Sequence, residues 1–145
     1  AVTGHEIGHY VLGHVWRTIV LMSVLAVVFF YLADRAFPMF ARVFGSDASI
    51  SDPTGLPVLV FMVSLFLLVA QPVLNGVIRM GENEADQYSL ETANLPDALA
   101  SALVKTAEYR NPRPGSLQEV LFYTHPSVER RVRRAMDWKA THPAQ

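Results

Sequence analysis

The sequence predicts a mainly α, integral membrane fold in which two transmembrane helices lie between two polar helices. Three observations predict it. Thr18 to Ala33 carries no charged residue. Val58 to Ile78 is a second uncharged, apolar run. Outside these runs, His5 and His9 precede the first, and Glu82 and Asp86 follow the second. Each pair is spaced i and i+4, so on a helix each shares one face.

Composition narrows the classes. The chain has 145 residues, enough for one modest domain, and a net charge of −1, which argues against nucleic acid as a partner. It has no cysteine, so disulfides and thiolate metal ligands are excluded and any metal must be held by His and carboxylate. Hydrophobic residues make up 51% of the chain, and the excess is concentrated in the two apolar runs.

Ala1 to about Trp16 is expected to be helical, with Thr3 as its cap and an apolar side of Tyr10, Val11, Leu12 and Val15. Gly8 and Gly13 weaken such a helix unless close packing offsets them. Within it, His5-Glu6-Ile7-Gly8-His9 reads H-E-x-x-H. Two imidazoles one turn apart can hold one zinc ion, and Glu6 beside them can take a proton from a water at that ion. This is the chemistry of a metalloprotease. The competing reading is a helix with two ordinary histidines, so a third ligand is needed elsewhere. His14, five residues after His9, falls off the ligand face of a continuous helix and reads as a surface residue.

Thr18 to Ala33 is apolar all round, as a membrane helix is and a surface helix is not. Trp16, Arg17, Tyr31 and Arg35 can extend it to the roughly 20 residues a span needs. Asp34 to Pro57 is rich in Pro, Gly, Ser and Asp and is expected to be a loop or short surface piece. Val58 to Ile78 is the second span, with Pro72 expected to kink it. Two spans form a hairpin, which returns the chain to the side of the H-E-x-x-H helix.

The helix after Ile78 then supplies the third ligand. Glu82 completes a His-His-Glu site, and Asp86 one turn on can accept the second ring N–H of a ligating histidine. Glu84 lies on the other side and reads as solvated. Gln71, Asn75, Arg79, Glu82 and Asp86 form one polar stripe, expected to line a wet chamber leading to the metal unless Gly76 or Gly81 breaks the helix.

Leu95 to Tyr109 repeats apolar residues at helical spacing and reads as scaffold, with Asn94 as cap. Asn111 to Gly115 is a loop, and Ser116 to Tyr123 is too short to assign. Thr124 or Ser127 caps a last helix from Val128 to about Lys139. His125 can donate to an oxyanion, and Arg130 can do the same or hold a site carboxylate; a loop histidine and a surface arginine explain them equally by residue type. Arg130, Arg131, Arg133 and Arg134 form a basic cluster, most of which reads as a solvated face. Positive residues crowd Lys105 to Lys139, which places the metal end in the cytoplasm.

The order H-E-I-G-H-Y-V-L-G-H, two apolar spans, E-N-E-A-D, and H-P-S-V-E-R resembles family forty-eight of the metallopeptidases. That family includes type I CAAX prenyl proteases and the heat-shock membrane protease HtpX. The first motif, continued to the second Gly-His, is closer to the prenyl protease branch. The resemblance implies a gluzincin-like centre with one zinc per chain, held by His5, His9 and Glu82. It implies Glu6 as general base, Asp86 supporting a ligand, and His125 and Arg130 near the substrate. Ser127 stands where many members have a second Pro.

The expected whole is a single catalytic domain over residues 1–145, with spans at 18–33 and 58–78 and a helical, ligand-bearing region at 79–145. It is expected to be the carboxy-terminal catalytic part of a longer protein, since members carry earlier spans and a substrate-binding strand before the first motif. The expected partners are a peptide or protein substrate, membrane-associated in some readings, and the lipid bilayer of a bacterial inner membrane. The alternatives are a quality-control protease of membrane proteins, and a non-proteolytic membrane scaffold with a structural metal site. Glu6 argues against the scaffold, because a structural site has no use for a base.

Overall fold

The computed structural model describes residues 1–107 and 111–142. Among them are six α-helices: α1 Val2–Val11, α2 His14–Val43, α3 Leu56–Ala93, α4 Pro96–Thr106, α5 Ser116–Phe122 and α6 Val128–Thr141. One 3₁₀ turn, Pro53–Gly55, precedes α3. The mainly α expectation therefore holds. The chain does not form a single compact body: it divides into one unit of Ile19–Gln71 and another of Ala1–Thr18 with Pro72–Gln145.

In the Ile19–Gln71 unit, most of α2 pairs with the first half of α3. Both helices are long and apolar enough to cross a membrane. Helix α2 does not stop at Ala33, where the expected span ended. It continues through Pro38 to Val43, over residues expected to be loop or a short amphipathic piece. The reason is packing: Ala33, Phe37 and Ala41 recur every four residues and are buried against Val58 and Met62. That face carries the helix past a proline, which removes only one backbone bond. Phe40 and Phe44 both meet the Phe61 ring, and Phe29 meets Phe66. Hydroxyls inside the apolar runs are satisfied within their own helix, Ser23 donating to the Ile19 carbonyl and Ser64 to that of Val60. The connection turns at Gly45, whose φ is +65°. It re-enters α3 at Gly55, where a Cβ would lie 2.7 Å from the Phe37 ring.

In the other unit, α1 does not run from Ala1 to Trp16. It ends at Val11, Gly13 adopts a φ of +67°, and α2 starts afresh at His14. A left-handed residue after a helix end is a glycine's usual place. Thr3 is inside α1, and the cap position is Ala1. Helix α1 lies very close to α3. A Cβ on Gly8 would be 3.2 Å from the Ala85 Cα, and one on Gly4 would be 3.0 Å from the Ser89 hydroxyl. Ser89 in turn donates to the Ala1 carbonyl at 2.7 Å. Small residues one turn apart on both helices thus form a seam, which sets His5 and His9 against Glu82 and Asp86. Gly8→Leu is expected to destabilise this unit by about 1–3 kcal/mol, the usual cost of forcing a side chain into filled space. Thermal unfolding beside wild type measures it, and an unchanged midpoint would contradict the seam.

Helix α3 is continuous from Leu56 to Ala93, so Gly76, Gly81 and Pro72 do not interrupt it. The polar stripe along it does not line a wet chamber at Asn75 and Arg79. Asn75 donates to the Leu121 carbonyl at 2.8 Å, and Arg79 donates to the carbonyls of Glu119 at 2.9 Å and Tyr123 at 2.5 Å. These carbonyls cluster at the end of α5, where a cation complements the helix dipole. Helix α4 starts at Pro96 and not at an Asn94 cap. Asn94 has a φ of +46° and accepts instead from the Trp138 indole. Glu108 and Tyr109, at the end of that expected helix, lie outside the described residues. Leu90, Leu99, Ala100, Leu103 and Ala135 make the core that joins α3, α4 and α6. Ser127 caps α6, accepting from the Arg130 N–H.

Candidate metal centre

His5 and His9 stand one turn apart on α1 and face Glu82 of α3. The ligand atoms of these three residues lie within 4.8 Å of one another. His5 Nε2 is 3.1 Å from His9 Nε2 and 3.5 Å from Glu82 Oε2, and His9 Nε2 is 3.4 Å from Glu82 Oε1. Zinc bonds of about 2.0–2.2 Å in a tetrahedral site put neighbouring donors roughly 3.3–3.5 Å apart. The donor set and its spacing therefore fit one zinc ion. Among the described residues it is the one group of this kind.

Asp86 lies against the ring of His5. Its Oδ1 is 2.9 Å from His5 Nδ1, so it accepts that ring N–H and leaves the Nε2 lone pair facing His9 and Glu82. The carboxylate is buried and is gripped by Arg131: Nε donates to Oδ2 and Nη2 to Oδ1, both at 2.7 Å. The same guanidinium reaches Glu82 Oε2 at 3.3 Å. Burial works to raise the Asp86 carboxyl, but the hydrogen bonds and charges of His5 and Arg131 outweigh it and hold it below the usual carboxylate range. Burial lowers His9 from the ordinary imidazole value. His5 and His14 push the same way, and Glu82 and Glu6 oppose them. The result is an uncharged imidazole at neutral pH, the form that binds a metal.

Glu6 is exposed and turns off the ligand face into an open cleft of about 300 Å³ that His5, His9, Glu82, His125 and Arg131 also line. His125 Nε2 is 3.4 Å from Glu82 Oε1. The arginine that reaches the cluster is Arg131 and not Arg130. Arg130 points away, its Nη1 3.3 Å from Glu119 Oε1, with a largely exposed side chain. The four arginines of α6 thus divide, Arg133 meeting Glu129 and Arg134 meeting Asn83 while Arg131 is buried.

Sequence reasoning also misplaced His14, and it missed the partners of Glu84, whose side chain stays 42% exposed. His14 is buried, its Nδ1 is 2.8 Å from His9 Nδ1, and its Nε2 is 2.9 Å from Glu84 Oε2. The turn at Gly13 aims it back at the site, which a continuous helix would not do. The signal for Arg131 was available: it falls between Val128, Val132 and Ala135 on the buried stripe of α6, whereas Arg130 does not.

The model of Peptidase family M48 matches residues 1–139. The chain is 28% identical to "Uncharacterized metalloprotease YhfN" of Bacillus subtilis (strain 168) over 139 residues, covering 92% of this chain and 33% of that protein. It is 30% identical over 161 residues to proteins named "Protease HtpX homolog" from Burkholderia mallei (strain SAVP1) and Burkholderia pseudomallei (strain 668), covering 97% of this chain and 54% of theirs. The chain therefore spans between a third and about half of the length of these relatives. No solved structure matches it. A family match over nearly all of its length places the chain in Peptidase family M48.

Proposed function

We infer that the chain is the catalytic part of a membrane-integral, zinc-dependent endopeptidase. The observation that carries this reading is the convergence of His5, His9 and Glu82 beside Glu6 and His125 in one open cleft. His5, His9 and Glu82 would hold the zinc, with Asp86 fixing the ring of His5. Bound there, zinc would lower the pKa of a water to about 7 and polarise a peptide carbonyl. Glu6 takes a proton from the attacking water and delivers it to the leaving amine. His125 donates a ring N–H to the developing oxyanion. Arg130, paired with Glu119, has no part in this scheme, and Arg131 positions Asp86 and Glu82.

The outward faces of α2 and α3 support membrane insertion, since Val20, Val27, Phe30, Leu67, Leu68 and Val69 are all exposed. The basic residues between Lys105 and Lys139 favour a cytoplasmic metal site, which in a two-membrane bacterium would be reached from the inner membrane. Two specificities each have an observation behind them. The relatives named as HtpX homologues favour cleavage of misfolded membrane proteins. The Gly13-His14 continuation of the first motif favours cleavage at prenylated carboxy termini. The purified protein in detergent, offered a farnesylated peptide and an unfolded membrane protein, is expected to cut one of them. A chelator should stop the cleavage and added zinc restore it. Cleavage that survives exhaustive chelation would overturn the zinc reading.

A further inference from the structure

We propose that His14 and Glu84 form a second carboxylate–histidine arm, which fixes His9 as a metal ligand as Asp86 fixes His5. The proposal rests on the reading of His5, His9 and Glu82 as the metal ligands. Proton placement follows from the donors and acceptors. Glu84 Oε2, an acceptor, lies 2.9 Å from His14 Nε2, so that nitrogen carries the His14 proton. A lone pair in that position would face a carboxylate oxygen. A His14 ring with its single proton on Nε2 has a bare Nδ1, and the atom 2.8 Å from it is His9 Nδ1. His9 must donate there, so its own Nε2 is left bare. That is the nitrogen 3.4 Å from Glu82 Oε1 and 3.1 Å from His5 Nε2. Both ligand histidines thus present Nε2 by the same device, one through a carboxylate directly and the other through an intervening imidazole.

Three further features build the arm. Arg17 Nη1 donates to Glu84 Oε2 at 2.9 Å and Oε1 at 3.3 Å, holding the carboxylate against His14. Gly81 gives the arm its space: a Cβ there would lie 3.1 Å from Arg17 Nη2 and 3.3 Å from His14 Nδ1. Gly13, with its positive φ, supplies the turn that aims His14 back at His9. His14 is a positioning residue, since it acts on the metal through His9.

The test is zinc affinity by chelator competition, on the protein in detergent. His14→Phe keeps a ring but removes the acceptor, and is expected to weaken zinc binding about 10–100-fold. His14→Asn returns an acceptor oxygen near the Nδ1 position and is expected to recover most of that loss. Equal weakening by Phe and Asn would assign His14 a packing role only and overturn the proposal, as would unchanged affinity in both. Wild type that binds no zinc would instead overturn the metal site itself. Should His14→Phe not fold, ¹⁵N-histidine spectra of zinc-loaded wild type decide: His9 ligated at Nε2 and protonated at Nδ1 is expected, and ligation through Nδ1 overturns the arm.

Discussion

Glu6→Gln is expected to keep zinc bound while peptide hydrolysis falls about 10²–10⁴-fold, the usual worth of a positioned general base. The argument begins with helix geometry. Glu6 follows His5 by one residue, which turns its side chain about 100° from the ligand face of α1. It lines the cleft but lies outside the cluster of His5, His9 and Glu82. Gln has the same length and keeps a polar end in the cleft, so the ligands stay in place. What is lost is basicity alone: an amide cannot accept a proton near neutral pH. Zinc content and turnover, measured on the same sample, separate ligand loss from base loss. Unchanged turnover would show that another group moves the proton.

Arg131→Leu is expected to lower stability by about 3–5 kcal/mol, the cost of leaving a buried charge without its partner. Asp86 is almost fully buried, and Arg131 makes both of the short hydrogen bonds that neutralise it from α6. Removing the guanidinium leaves Asp86 with its hydrogen bond to His5 and takes a nearby cation away from Glu82. Against a typical domain stability of about 5–15 kcal/mol, such a loss is large. Arg133→Leu is the matched control. Its i,i+4 contact with Glu129 is largely in solvent, and surface substitutions of this kind stay within about 0.5 kcal/mol. Thermal unfolding of the metal-free variants compares the two. Equal midpoints would mean that Arg131 does not anchor Asp86.

The sites that were legible in the sequence are those written as short-range spacing on one helix. His5, His9, Glu82 and Asp86 are i, i+4 pairs, and α1 and α3 bring the two pairs together as the apolar runs between them suggested. The rest depends on events that spacing does not record. One left-handed glycine, Gly13, ended α1 early and turned a residue read as surface into a neighbour of His9. Glu84 stays partly in solvent, as expected, but gains a hydrogen bond to His14. Helix α2 ran on past Pro38 because Phe37 and Ala41 had a partner face on α3, a long-range fact that local breaker residues hid. Arg79 and Asn75 were visible as a polar stripe, but their use depended on where α5 ends. Arg131 was missed for a different reason. A run of four arginines within five positions reads as one basic face, although the helical period of α6 already singled it out.

The measurement that tests the account most directly is the zinc content of the protein in detergent, wild type beside Glu82→Ala. One equivalent of zinc in wild type, lost in the variant, is the expected result. It would tie the α3 carboxylate to the two imidazoles of α1 as one centre. Zinc retained in full without Glu82 would contradict the three-ligand site, and with it the reading of the cleft as a catalytic centre.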